Sequence, residues 1–202
     1  MYVPRLFRQE DPAALAGLIT EHPLASLVTL GPAGLEMSPV PLLYDPAPRA
    51  DAPHGILRGH LARANPQWQQ FRPDIAALAL FTGPNAYISP NWYPSKAEHG
   101  KAVPTWNYAV VEARGPLRII EAPDELRQLL AELTALHEAR QPRAWTLEDA
   151  PEDFIAAQLK AVVGVEILVQ QLTGKWKMSQ NRSEADRQGV AAHLDRPELL
   201  VR

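Results

Sequence analysis

Proline constrains the fold of this chain more than any other residue type. Twenty of the 202 residues are prolines, about twice the usual share in proteins, and they are spread along the chain. Because proline fixes a backbone torsion and lacks an amide hydrogen, it favours turns, sheet edges and the first turns of helices. The distribution therefore predicts many short strands with irregular connections.

Alternating or continuous apolar runs predict about seven strands. We expect them within residues 24–30, 37–44, 56–62, 76–81, 85–89, 103–120 and 165–179. The segment 103–120 is consistent with two strands, or with one bent strand that breaks at Gly115-Pro116. In 165–179 the apolar positions slip by one near Gln170-Gln171, which a β-bulge would produce.

Helical patterns are fewer. Two central helices are expected, at about 124–140, where leucines recur at helical spacing, and at 151–163. Side chains that can cap helix N-termini are Asp11, Asn65, Thr146 with Asp149, and Ser183 with Asp186. A strict alternation of strands and helices is absent. A single α+β domain over residues 1–202, mainly β and built as an antiparallel barrel with peripheral helices, therefore fits best.

Composition excludes several classes of protein. The absence of cysteine rules out disulfides, thiolate metal sites and cysteine nucleophiles. A net charge of −3 is unlike the basic balance of a dedicated nucleic-acid binder. The N-terminal stretch MYVPRLFRQEDPAAL lacks an apolar signal core, and no run approaches the ~20 apolar residues of a membrane span. We therefore expect a cytoplasmic protein.

Aromatic and polar residues are concentrated in SPNWYPSK, residues 89–96, and VPTWNY, residues 103–108. Ser89, Lys96 and Thr105 can donate hydrogen bonds to a phosphate. Four rings can stack on a flat ligand or simply bury area in the core: Trp92, Tyr93, Trp106 and Tyr108. The mixture of rings, hydroxyls and a lysine favours a flat, anionic ligand between them.

Two further segments carry positive charge. In GHLARANP, residues 59–66, Arg63 suits a phosphate, although it can equally be a surface cation and Asn65 a helix cap. In GKWKMSQNR, residues 174–182, a strand would place Lys175, Lys177 and Ser179 on one face. That face is consistent with an anion cradle, with a solvated sheet edge, or with a contact to single-stranded nucleic acid.

Common catalytic and nucleotide-binding motifs are missing. The chain has no G-x-G-x-x-G, no phosphate-binding P-loop and no G-x-S-x-G. Its six histidines form no H-E-x-x-H pair. We expect no bound metal, although His60 and His137 are histidines that could in principle ligate a haem iron.

Five motifs in this order give the chain a resemblance to a known family: MYVPRLF, GHLARANP, GPNAYISPNWYPSK, VPTWNY and KMSQNR. From residue 1 to about 194, the chain resembles the PaiB-type FMN-binding negative transcriptional regulators. That family belongs to the split-barrel flavoproteins, which are similar to pyridoxamine-phosphate oxidases. The resemblance implies a six-stranded Greek-key split β-barrel and a homodimer with FMN near the subunit interface.

The same motifs imply a set of cofactor-binding residues. Within the set, the resemblance suggests Lys96 and Arg63 for the phosphate, and Gln180 and Asn107 for the polar edge of the flavin ring. The full set is Arg63, Asn65, Ser89, Trp92, Lys96, Thr105, Trp106, Asn107, Lys177, Ser179, Gln180 and Arg182.

The resemblance implies a regulatory or sensing flavoprotein. The sequence contains no convincing helix-turn-helix and no basic recognition helix, so direct DNA binding is doubtful. The alternatives are a flavin-dependent oxidoreductase of the split-barrel class, in which flavin carries the hydride chemistry, and a flavin or haem store without turnover.

Overall fold

The computed structural model describes residues 1–201, which contain ten strands and six α-helices. The strands are β1 Arg8–Gln9, β2 Leu24–Gly31, β3 Gly34–Pro41, β4 Leu43–Asp45, β5 Ile56–Ala62, β6 Ala77–Ile88, β7 Thr105–Gly115, β8 Leu117–Ile120, β9 Val162–Leu168 and β10 Gln171–Lys177. The helices are α1 Pro12–Glu21, α2 Gln67–Gln70, α3 Ser95–His99, α4 Pro123–Glu138, α5 Glu152–Lys160 and α6 Glu184–Ala191.

The chain divides into two compact units. The first contains Met1–His22, Phe81–Glu112 and the segment that begins at Thr173, and the second contains Pro23–Leu80 and Ala113–Leu172. The strands form a six-stranded sheet in the order β1-β10-β7-β6-β2-β3 and a four-stranded sheet in the order β4-β5-β9-β8. The expected antiparallel, mainly β fold with additional helices is confirmed.

In the first unit, helix caps hold the short elements in place. Asp11 accepts hydrogen bonds from the backbone of α1, and Ser183 accepts one from the backbone of α6, as the sequence predicts. Asp186 of α6 in turn accepts hydrogen bonds from the backbone amide of Ser95, at 3.1 Å, and from its hydroxyl, at 2.8 Å. Burial raises the pKa of Asp186, but these hydrogen bonds outweigh that effect and hold the pKa below its ordinary value.

In the second unit, the four-stranded sheet packs beneath α4. Strand β9 pairs along its length with β5 and also pairs with β8. Helix α4 buries Leu126, Leu129 and Leu133, three of the leucines whose spacing predicts the helix. Pro39 and Pro41 lie in β3, which is an edge strand, as expected for residues that cannot donate to a neighbouring strand.

Three strand predictions need correction. The structure has ten strands instead of about seven. The two strands expected at 76–81 and 85–89 are one continuous strand of 12 residues, β6, Ala77–Ile88. The register slip near Gln170 is a break between β9 and β10, which lie in different sheets, and not a bulge within one strand. The amides of Val169 and Gln170 donate to the carbonyls of Gly55 and Arg114, each at 2.9 Å, and these bonds hold the break.

Residues 103–120 form two strands, β7 and β8, separated at Pro116, as expected. The helix expected at 151–163 is α5, which ends at Lys160 because Val162 begins β9. Thr146 and Asp149 form a capping box, but on a short 3₁₀ helix, Leu147–Asp149, and not on α5. None of the helices within residues 1–201 is long and apolar enough to cross a membrane.

Two glycine substitutions test the packing of the strands. A Cβ at Gly115 would overlap the carbonyl oxygen of Leu168, whereas a Cβ at Gly17 in α1 would meet nothing within 4 Å. We expect Gly115→Ala to lower the free energy of unfolding by about 1–3 kcal/mol or more. Gly17→Ala should raise it by about 0.5–1 kcal/mol, because alanine loses less backbone entropy in a helix. Urea unfolding of both variants measures these changes, and a Gly115→Ala variant as stable as the parent would contradict the packing described.

Candidate functional site

A cavity of about 110 Å³ lies in the first unit, and we call it the cationic cavity. It is lined by Tyr93, Val103, Pro104, Thr105, Asn107, Lys177, Ser179, Asn181 and Arg182. Five of these residues belong to the set predicted from sequence: Thr105, Asn107, Lys177, Ser179 and Arg182. The structure therefore brings together residues from the VPTWNY and KMSQNR motifs.

Neighbouring strands position these side chains. Thr105 and Asn107 are alternate residues at the start of β7 and so share a face. Lys177 is the last residue of β10, the hydrogen-bonded neighbour of β7, and Ser179 and Arg182 follow it. The predicted common face of Lys177 and Ser179 does not continue as a strand, because the chain turns after Lys177.

A buried hydrogen-bond pair forms the floor of the cationic cavity. The side-chain amide of Asn107 donates to the hydroxyl of Ser179, at 2.9 Å, and to the carbonyl of Leu200, at 2.8 Å. Asn107 and Ser179 are 1% and 3% exposed. Ser179 has a φ of 63°, the only positive φ at a non-glycine residue within residues 1–201. A serine held in this left-handed region costs free energy, and such residues cluster at functional sites.

Positive charge is concentrated on one wall. The ammonium of Lys177 donates to the hydroxyl of Thr105 and, at 2.6 Å, to the carbonyl of Trp106. Burial, followed by the charges of Lys175 and Arg182, lowers the pKa of Lys177. An anion in the cationic cavity would offset this mutual repulsion of cations.

Tyr93 is a site residue whose hydroxyl the sequence analysis missed. The side chain is 2% exposed, and its hydroxyl has no hydrogen-bond partner among the described residues. The guanidinium carbon of Arg182 lies 4.4 Å from the centre of its ring. Sequence reasoning treated Tyr93 only as a ring for stacking, but a buried, unpartnered hydroxyl that lines a cavity is available to a ligand.

Three predicted residues of the SPNWYPSK motif have structural contacts of their own. The hydroxyl of Ser89 accepts a hydrogen bond from the amide of Asn91 and so caps a short 3₁₀ helix. The ammonium of Lys96 donates to the side chain of Asn91 at 2.5 Å. Trp92 stacks on His193, with ring centres 5.2 Å apart. These residues do not line the cationic cavity.

Trp106 and Gln180 also lie outside the lining of the cationic cavity. Trp106 is 53% exposed and meets the edge of Tyr87 at 6.0 Å between ring centres. The side-chain amide of Gln180 donates to the backbone carbonyl of Trp176 and accepts from the backbone amide of Met178, each at 2.6 Å. Gln180 therefore stabilises the turn that presents Ser179.

Arg63 and Asn65 belong to the second unit. Arg63 forms an ion pair with Glu121 at 2.8 Å and donates to the carbonyl of Lys160 at 3.1 Å. Asn65 accepts a hydrogen bond from the amide of Gln67, which begins α2, and so has the capping role that the sequence also allowed. Its side-chain amide donates to the hydroxyl of Ser38 at 2.9 Å.

The residues of the cationic cavity fit a phosphate group. Lys177 and Arg182 supply positive charge, and Thr105, Ser179 and Tyr93 supply hydroxyls. The volume of about 110 Å³ is smaller than the ~300–1,000 Å³ of pockets that enclose drug-sized ligands. The cationic cavity can therefore hold the phosphate end of a flavin nucleotide, while the ring system would lie outside it.

Comparison with known proteins identifies relatives along nearly the whole chain. Residues 1–171 match the family model described as "Putative FMN-binding domain". The chain is 30% identical to protease synthase and sporulation protein PAI 2 of Bacillus subtilis, over 98% of this chain and 91% of that protein. It is 32% identical to the uncharacterized protein AN0679 of Emericella nidulans, over 96% of this chain and 90% of that protein.

Solved structures share the fold at low sequence identity. The flavocytochrome Anf3 of Azotobacter vinelandii has a TM-score of 0.60 at 11% identity, with 87% of this chain and 72% of that chain covered. The FAD and heme binding protein of Mycobacterium smegmatis has a TM-score of 0.56 at 15% identity, with 93% and 80% covered. These likenesses concern the fold, and the split-barrel prediction is confirmed.

Substitution of Asn107 tests the buried floor of the cationic cavity. Asn107→Ala leaves the hydroxyl of Ser179 and the carbonyl of Leu200 without their donor. We expect the free energy of unfolding to fall by about 1–3 kcal/mol. Asn85→Ala is the control, because the exposed Asn85 makes one hydrogen bond to a carbonyl at 3.3 Å and should change stability by less than about 0.5 kcal/mol. Equal effects in chemical unfolding would show that the Asn107 contacts contribute nothing.

Proposed function

We propose that this protein binds FMN and acts as a flavin-dependent regulatory or sensing protein. The chain belongs to the family of FMN-binding proteins that includes the PaiB-type regulators. The observation that carries the proposal is the cationic cavity. Lys177, Arg182 and Tyr93 line it together, and the buried hydroxyl of Tyr93 has no hydrogen-bond partner among residues 1–201. Bound flavin would supply redox chemistry, and the protein would supply its position and electrostatic surroundings.

The phosphate of FMN is assigned to the cationic cavity. Lys177 and Arg182 would pair with its negative charge, and the hydroxyl of Tyr93 would donate to one of its oxygens. The left-handed backbone at Ser179 turns the chain between these two cations. A phosphate beside Lys177 would raise its pKa, which burial and the neighbouring cations lower.

FMN suits the cationic cavity better than FAD. FMN ends in a phosphate monoester, and the volume of the cationic cavity, about 110 Å³, suits one such group. FAD contains a pyrophosphate, and the chain lacks the glycine-rich fingerprint that commonly binds dinucleotides. Chromatography of the flavin released on denaturation identifies the cofactor directly.

Charge removal in the cationic cavity tests the phosphate assignment. Lys177→Met and Arg182→Met should each weaken the binding of FMN by about 1.5–3 kcal/mol, which is roughly 10- to 150-fold in Kd, because each removes a charge-assisted hydrogen bond. Riboflavin, which lacks the phosphate, should bind both variants almost as well as it binds the parent. Lys101→Met is the control, since Lys101 is an exposed lysine outside the cationic cavity. Flavin fluorescence quenching measures all these affinities.

The same titrations decide between the cationic cavity and the phosphate contacts suggested by the family resemblance. Lys96 and Arg63 remain predicted phosphate ligands, although Asn91 and Glu121 occupy them in the structure. Selective loss of FMN affinity in Lys96→Ala or Arg63→Ala, with Lys177→Met and Arg182→Met unaffected, would move the phosphate out of the cationic cavity.

A homodimer is the proposed functional unit. The cationic cavity is too small to enclose FMN, so the ring system needs a further wall that a second copy can supply. In the second unit, strands β2 and β3 present an apolar face on which Leu24, Leu35 and Met37 are 64%, 79% and 60% exposed. Such a face is typical of a protein-protein interface, and we assign it to a second copy of the chain.

Sedimentation tests the proposed dimer. At low micromolar concentration the protein should sediment at about twice the 22.3 kDa mass of one chain. Met37→Glu should shift it toward the monomer, because the buried interface would contain an unpaired charge. Phe154→Glu, at an exposed apolar residue of α5, is the matched control and should remain dimeric. A parent protein that is monomeric with FMN bound would contradict the proposal.

Direct DNA binding is not part of the proposal. A net charge of −3 provides no long-range attraction to a polyanion, and the cations of the KMSQNR motif are assigned to FMN. A regulatory effect would then act through another component. The oxidoreductase alternative is not favoured by the comparisons. A cytoplasmic location remains a prediction of the sequence.

A further inference from the structure

A second, larger cavity lies in the second unit, and we call it the mixed-charge cavity. Its volume is about 390 Å³, within the range of sites that bind small molecules. It is lined by Arg58, Arg118, Ile119, Ile120, Glu125, Gln128 and Glu166. None of these residues belongs to the motifs that carry the family resemblance or to the cationic cavity.

Strand pairing builds a row of alternating charge across the mixed-charge cavity. Arg58 of β5 lies opposite Glu166 of β9, and Glu166 lies opposite Arg118 of β8. Directly paired residues of neighbouring strands point to the same face of a sheet. The four-stranded sheet thus presents a positive, a negative and a positive side chain side by side.

Arg58 has an unused hydrogen-bond donor. Its side chain is 21% exposed, and one terminal nitrogen donates to Glu132 at 2.6 Å. Its Nε is buried and has no partner among residues 1–201. A buried donor without an acceptor costs free energy. A hydrogen bond from this donor to a ligand would therefore stabilise the complex.

Glu166 has unused acceptors. Its side chain is only 17% exposed, and its ion-pair partner is Arg118 at 3.8 Å, beyond hydrogen-bond distance. Arg118 makes its closer contact, at 3.0 Å, with Asp51. Glu125, in the first turn of α4, adds a second carboxylate to the lining. Both carboxylates are available to a cationic ligand.

The charges around the mixed-charge cavity do not balance. The two arginines face four carboxylates within the cavity lining or in contact with it, those of Asp51, Glu125, Glu132 and Glu166. The excess of negative charge favours a ligand with a positive group. An acceptor on the same ligand would give Nε of Arg58 a hydrogen-bond partner. Ile119 and Ile120 add an apolar part to the lining.

We propose that the mixed-charge cavity binds a small zwitterion with one ammonium and one carboxylate, of the α-amino acid class. The carboxylate accepts from Nε of Arg58, and the ammonium lies between Glu166 and Glu125. The ligand's side chain packs on Ile119 and Ile120. The proposal is independent of the flavin site, since it uses none of the same residues.

Binding measurements on the purified protein test the proposal. The twenty standard amino acids are screened individually by thermal shift, and the best is titrated by calorimetry. Two matched ligands follow: the amine that lacks its carboxylate and the acid that lacks its ammonium. We expect the amino acid to bind at least ~10-fold more tightly than either, because each analogue leaves one buried group without a partner.

Conservative variants locate the binding. Glu166→Gln and Glu125→Gln should each weaken the binding of the amino acid at least ~10-fold, while the flavin content stays unchanged. Arg72→Gln removes an exposed arginine that pairs with Asp74 elsewhere and should have no effect. The proposal is overturned if no amino acid binds below ~10 mM, if the amine binds as tightly as the zwitterion, or if both glutamate variants retain full affinity.

Discussion

The buried contact between Asn107 and Ser179 is the interaction on which the first unit depends. It joins the start of β7 to the turn after β10, two segments far apart in sequence. The hydrogen bond is buried, and it helps to hold Ser179 in a backbone conformation that serine rarely adopts. The turn at Ser179 in turn sets the positions of Lys177 and Arg182. The stability of the unit and the placement of its cations thus have a common origin.

The cationic cavity concentrates positive charge locally in a protein of net negative charge. Burial, together with the charges of Lys175 and Arg182, lowers the pKa of Lys177. Tyr93 adds a buried hydroxyl without a partner. In the proposed complex, the phosphate would interact with both groups. Local charge therefore matters more for this function than the balance of the whole chain.

The sequence predicts which residue types line the cationic cavity, but not the contacts that each side chain makes. The hydroxyl, amide and cations of VPTWNY and KMSQNR do converge, because their strands are neighbours. Ser89 and Gln180 stay predicted ligand contacts, and in the structure each also bonds a backbone group of its own turn. No local pattern distinguishes a polar side chain that meets a ligand from one that caps a turn. The free hydroxyl of Tyr93 depends on packing and could not be predicted from its neighbours in the chain.

Local sequence patterns predict the helices of this fold. They do not predict which strands pair with each other. The leucines of α4 and the cap at Asp11 predicted their helices correctly. The slip near Gln170 has two physical explanations, a bulge or a strand break, and only the partners of β9 and β10 distinguish them. The mixed-charge cavity is a stronger example, since Arg58, Arg118 and Glu166 become neighbours solely through strand register.

A crystal structure of the protein with FMN tests the central claim most directly, since it locates the phosphate. We expect phosphate oxygens within hydrogen-bond distance of Lys177 or Arg182, with the hydroxyl of Tyr93 donating to one of them. A phosphate bound by Lys96 or Arg63, with no phosphate oxygen in the cationic cavity, would contradict it.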